Sequence, residues 1–348
     1  MFDFPEFHIP TGYPVQSLAW FGDFLMDWPG ATRYLLDGTR ECGMNKRDNL
    51  YSYGYCFDAA ITSPSSEYTA VYTRHHTKAL ILRHGRLHRE LNRSYYHADV
   101  HEYPIALLRL KSGQEVVAHC PDNYCQLEID DLETGRRLTS QDRRDPKDYF
   151  FSRLMVDPQG EFIASAGWWW HPFDFVNVYH VESGLQDPAV FDHRYENIDA
   201  TAEDINAAFT ENGHLLAILS EIWGGGDEEL AERLRKEPAP FGVFLLFDPR
   251  TRQVIHRCLP EARVGTIMPV GEHHVVGFYE HPRLFDLRTG AVVHSWPHLD
   301  SGTQTGCISG AHTVPPMALD MQNRRFAIAS KSEVVAVQID LRSTPGME

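Results

Sequence analysis

One short unit recurs along this 348-residue chain: a turn closed by glycine or proline, a small apolar strand, a loop, and a partner strand that ends in a second polar turn. Its clearest copy is Val156 to Gly184. There Asp157-Pro158-Gln159-Gly160 forms the entry turn, Glu161 to Ala166 the apolar strand and Phe175 to Val181 its partner, with a polar and aromatic loop between them. A two-stranded unit of this kind cannot bury its apolar faces alone. Repetition at a regular spacing supplies the neighbours it needs, so the spacing of the copies decides the fold.

Seven copies are found. They pair Asp23–Trp28 with Tyr34–Leu36, Thr69–Thr73 with Ala79–Leu82, Glu115–His119 with Gln126–Ile129, the unit above, His214–Leu219 with Val243–Phe247, His274–Phe278 with Leu284–Asp286, and Arg325–Ala329 with Val334–Ile339. The apolar strands return about every 46 to 59 residues, slightly more than a four-stranded propeller blade needs. A second register follows the partner strands. Ile129-Asp130-Asp131-Leu132-Glu133-Thr134-Gly135, Val178-Tyr179-His180-Val181-Glu182-Ser183-Gly184, Leu246-Phe247-Asp248 and Leu284-Phe285-Asp286-Leu287-Arg288-Thr289-Gly290 each run from an alternating strand into a tight polar turn, as a hairpin requires.

With its apolar-Asp pair before such a turn and its proline or glycine turn before each apolar strand, the chain resembles the WD-repeat-like β-propeller superfamily over most of residues 57 to 342. The match is degenerate. Phe285-Asp286 and Phe247-Asp248 stand where a Trp-Asp dipeptide would, Tyr179-His180 lacks the acid, and no Gly-His dipeptide opens a unit. The resemblance implies an all-β single propeller of four-stranded antiparallel blades held mainly by packing of their faces. Seven blades are expected, with six as the alternative because the first repeat is short and residues 39–54 read as loop.

The expected blades span 14–50, 55–92, 104–140, 150–192, 204–258, 264–297 and 315–342 of one domain, 1–348. The last unit runs out after Asp340, so its outer strand is expected from the N-terminus, Phe2 to Ile9, which closes the ring and leaves no free sheet edge. One stretch breaks the β pattern. Asp227 to Lys236, after Gly224-Gly225-Gly226 and before Pro238, carries an Asp N-cap, early acids and late bases, and reads as a short helix inserted in the loop 222–240.

Composition narrows the partners. The net charge is -16, from 32 basic and 48 acidic residues, and it repels phosphate backbones and anionic membranes. Direct nucleic-acid or membrane binding is not expected; a basic protein suits that field. The N-terminus MFDFPEFHIP has acids where a signal peptide needs bases, and six cysteines without a CxxC pair suit reduced thiols, so a cytoplasmic monomer is expected.

In a propeller, one face carries the turns that enter the apolar strands and the hairpin turns that follow their partners. The other carries the loops inside each repeat unit and the blade-crossing loops. The first set is terse here, and the second is long: Arg93 to Tyr103, Pro121 to Tyr124, Gln141 to Asp148, Trp168 to Asp174, Arg194 to Asp204, Ile222 to Pro240 and Pro297 to Pro315. Loops longer than a scaffold needs tend to carry function, so the site is expected on that face. Trp168-Trp169-Trp170-His171 cannot send three indoles into one core, and Tyr95, Tyr96, Tyr124, Tyr195 and Trp223 fall on the same side among Asp122, Asp192, Glu196, Asp199 and Asp300. Aromatics among acids suit a basic partner.

A competing reading is chemical. If Arg93 to Glu102 is extended, His97, Asp99 and His101 point to one side as a divalent-metal set, and with Glu102 they would serve a metal-assisted hydrolase or lyase. No nucleophile elbow, zincin helix or phosphate loop is present, and no cofactor is expected. The leading expectation is a non-enzymatic protein-binding propeller, with neutralisation of a basic toxin or enzyme, as an immunity protein does, as its particular form.

Overall fold

The computed structural model describes residues 2–42, 56–170, 174–193, 202–222, 239–308 and 314–341. Seven antiparallel blades stand in a ring, the fourth and fifth joined into one seven-stranded sheet by a single Asp174–Ala202 pairing. They occupy 19–42, 59–92, 105–137, 154–180, 202–258, 266–295 and 317–338, the last completed by the N-terminal strand Glu6–Pro10. The innermost strands of successive blades touch from blade 1 to blade 6 and again between blade 7 and blade 1.

The apolar runs have a direct cause. A blade lies between two others, so both faces of its middle strands are covered, and every residue of Phe162–Trp168 is buried. The core is accordingly divided into layers. Val176, Val178, Ile205, Leu215, Leu219 and Phe247 fill the space between blades 4 and 5, while Ile129, Phe151, Ile163 and Tyr179 fill that between blades 3 and 4, and comparable clusters occupy the other interfaces.

The polar turns hold through their aspartates. Asp131, Asp248 and Asp286 each accept a backbone N–H within the following turn, from Thr134, Arg250 and Arg288 at 2.5, 2.9 and 2.8 Å. In blade 4 the Nδ1 of His180 takes that place, accepting from the Ser183 N–H at 3.2 Å, and the chain continues into helix α1 (Val181–Gln186) in place of an outer strand. Blade 3 also has three strands, with a bridge between Asp130 and Arg137 at its outer edge. At the entry turn of blade 4 Asp157 accepts from Glu161 and Phe162, both at 2.6 Å. Gly160 has φ +67°, and a Cβ there would lie 2.6 Å from the Arg109 carbonyl oxygen, which fixes glycine at that position.

Ring closure by the N-terminal segment uses two short strands rather than one continuous strand from Phe2 to Ile9. Phe2–Asp3 pairs with Asp340–Leu341, the chain breaks at Phe4 and Pro5, and Glu6–Pro10 then pairs with Glu333–Gln338. The helix expected at 227–236 lies outside the described residues. No helix among the described residues is long and apolar enough to cross a membrane.

Candidate partner-binding face

The long blade-crossing loop before blade 3 is a compact knot built on Arg93. Its buried guanidinium donates to the carbonyls of His76, Arg74, Ala98, His101 and Glu102 at 2.6 to 3.2 Å, and it stacks over Tyr103 at 4.9 Å. Burial pushes Arg93 down to about 10, against the opposing pull of Tyr103 and the nearby carboxylates. The loop wraps around this cation and presents its middle outward, with Tyr95 81% and Tyr96 47% exposed.

That knot changes the reading of the histidines. Residues 95–100 are turn, not extended strand, and His97 adopts φ +52°. The alternation that would line up His97, Asp99 and His101 is therefore not adopted. His101 is buried beside Arg93, with ring nitrogens 3.4 and 3.5 Å from Nη1, and burial together with that cation pushes it down to about 3. No group of three His, Cys, Asp or Glu placed to hold a metal ion occurs among the described residues.

The three tryptophans separate. Trp168 ends the second strand of blade 4 and is buried, while Trp169 and Trp170 are 43% and 38% exposed. Phe150 organises them. Its ring, fully buried, stacks on Trp168 at 4.5 Å and on Tyr124 at 4.2 Å, with Trp170 edge-on at 5.2 Å. Its backbone exchanges hydrogen bonds with Trp168 at 2.8 and 3.1 Å. So close an approach needs Gly167, where a Cβ would lie 2.3 Å from the Phe150 oxygen. Asp148 fastens the rim, accepting from the Tyr124 hydroxyl at 2.7 Å and from the Trp170 indole N–H at 2.6 Å. Tyr96 joins this cluster 5.0 Å from Tyr124, and Trp169 turns away to lie 5.5 Å from Phe175. His171, Tyr195 and Trp223 lie outside the described residues, as do Glu196 and Asp199.

The acids of this face are less free than their sequence positions imply. Asp192 is buried and bound by Arg144 at 2.6, 2.8 and 2.9 Å, Asp122 pairs with Arg137 at 2.7 Å, and Asp300 accepts the Gly302 N–H at 2.9 Å. Phe150, Asp148, Arg93 and Arg144 hold the face together, and sequence reasoning passed over all four. Phe150 looks like any core aromatic, and the partners of the other three are distant or are backbone carbonyls.

Along the centre of the ring a cavity of about 680 Å³ reaches the short turns of the opposite face at Ser63, Ser66, Asp320 and Asn323. Glu102 points to it, accepting from Arg153 at 2.9 Å and Gln304 at 2.5 Å. Burial pushes its carboxyl up, but the Arg153 and Arg74 guanidinium groups outweigh that and hold it below the usual range. Deeper, burial and the nearby Asp204 charge hold Asp174 well above the usual carboxylate range, and the Cys307 thiol 3.9 Å away is itself pushed up by burial. All six cysteines are free.

Fold and face together define a seven-bladed β-propeller with one elaborated, aromatic face. No protein-family model matches the chain, and no curated protein matches it in sequence. Solved structures do: the fold is similar to the β-propeller domain of Cps50 (Swd1) from Myceliophteria thermophila, with a TM-score of 0.53 over 96% of this chain and 99% of that one at 10% identity. A likeness at that identity is one of fold, and it agrees with the resemblance to WD-repeat-like propellers. In all, 1010 solved chains match, a breadth that leaves the function to be argued from the face itself.

Proposed function

We propose that this propeller is a non-enzymatic protein-binding module whose partner docks on the long-loop face, across Tyr95, Tyr96, Trp169 and Trp170. One observation carries the reading: four large aromatic side chains are exposed on loops of that face, each on a segment fixed from below by buried contacts. Rigid aromatics that lose little entropy on binding are the usual anchors of interfaces. The net charge of -16 favours a basic partner, and neutralisation of a basic toxin or enzyme in the cytoplasm is the particular form this takes.

Capture from the cells that make the protein tests the proposal. Wild type is expected to retain a stoichiometric partner, and Tyr95→Ala/Trp169→Ala to lose it, since removal of an interface anchor costs about 2 kcal/mol or more, roughly thirtyfold in affinity. Equal retention by both proteins, or no partner with wild type, would overturn it.

A further inference from the structure

The same face holds a cavity beside Trp169, and we propose that it seats one large apolar side chain of the partner, flanked in the partner by a basic residue. The inference rests on the protein-binding reading and assigns that partner its anchor. The cavity measures about 340 Å³, at the small end of ligand sites, which run from roughly 300 to 1,000 Å³. Tyr149, Phe151, Phe175, Tyr179 and Phe191, all buried, line its interior. The Tyr149 hydroxyl is already engaged, 2.9 Å from the Ser165 carbonyl and 3.1 Å from that of Phe175. Ring faces and edges on several sides favour an aromatic guest in stacked or edge-on contact.

Charge at the mouth selects what accompanies that guest. Of the two lining carboxylates, Asp192 is neutralised by Arg144. Among the described residues Asp148 is held by the neutral Tyr124 hydroxyl and Trp170 indole, while Lys147, which lines the cavity together with His193, is paired with Asp145 at 2.9 Å. A carboxylate held by neutral donors at the lip of an aromatic cavity favours a cation beside the ring that enters. The cavity borders Trp169 and Asp148, and Asp148 in turn holds Trp170. A partner covering the exposed aromatics therefore carries its anchor into the cavity.

Three probes of one ring and different charge test this on the purified full-length chain by ligand-observed NMR titration: tryptamine, N-acetyltryptophanamide and N-acetyltryptophan. Saturable binding is expected to weaken in that order, with the cation preferred over the anion by roughly fivefold at low salt. Cys125→Phe, which fills the cavity from its rim without removing an interior ring, should abolish binding of all three. Trp169→Ala, at an exposed position that spares the core, should weaken all three if Cys125→Phe fails to fold. Asp148→Asn should keep binding and level the series. Ser112→Ala, at an exposed position of the opposite face, should leave the probes unaffected. No saturable binding, binding unchanged in both cavity variants, or preference for the anion would overturn the cavity. Probe binding without any captured partner would instead defeat the protein-binding reading and with it the assigned occupant. Partner capture undiminished by folded Cys125→Phe would likewise remove the anchor role.

Discussion

Arg144→Ala is expected to destabilise the protein by about 3–5 kcal/mol, the cost of removing one partner from a buried ion pair. The side chains of Arg144, Asp192 and Glu128 are only 3%, 1% and 3% exposed. Without the guanidinium, Asp192 keeps the Asp145 N–H as a donor at 3.0 Å, and Glu128 keeps Thr139 and Gln126. Two carboxylates would then lie buried without that cation. The loss should appear as a lower urea midpoint with an unchanged slope. A double-mutant cycle checks the cause: Asp192→Ala should cost far less in the Arg144→Ala background than in wild type, because the two residues act as one unit. Additive losses would contradict the pairing. The effect reaches the face as well, since this pair ties the 141–148 loop to the 3-10 turn Pro188–Asp192 and so positions Asp148 and Phe150.

Removal of residues 1–10 is expected to open the ring. Ile9 is fully buried, Phe7 packs with the layer between blades 7 and 1, and Phe4 stacks on His294 at 4.2 Å and meets Trp296 edge-on at 5.2 Å. At about 1.5–3 kcal/mol for each large side chain returned to water, roughly 5 kcal/mol is lost before the five-residue ladder is counted. The deletion also bares Glu333–Gln338 as an open, mostly apolar edge, which is a template for pairing with other chains. Sedimentation should show species larger than wild type gives, and a synthetic peptide of residues 1–12 added in trans should restore the wild-type size with a higher unfolding temperature. A deletion variant of wild-type size and unchanged stability would contradict closure by this strand.

The fold was legible because its causes are periodic. Middle strands covered on both faces must be apolar runs, as in Phe162–Trp168, and each hairpin turn needs a short acceptor such as Asp248 or Asp286. Even the substitution of His180 for the acid was visible, although its outcome, a helix in place of an outer strand, was not. The loops follow no period. Arg93 fixes its loop through carbonyl groups that every residue possesses, and Arg144 finds Asp192 48 residues away. The metal reading depended on an extended backbone at 97–101, and the single cation of Arg93 folds that segment into turns instead. For the tryptophans, three consecutive indoles required that at least one be exposed, but which ones depends on Phe150 taking Trp168 and Asp148 taking Trp170.

Site-specific photocrosslinking in the native cell tests the central claim, that the partner sits on the long-loop face. A benzophenone amino acid at Tyr95, on that face, is expected to give one discrete adduct of higher mass on irradiation, and the same group at the exposed Ser112, in a short turn of the opposite face, to give none. No adduct from Tyr95, or an adduct from Ser112 alone, would contradict the account.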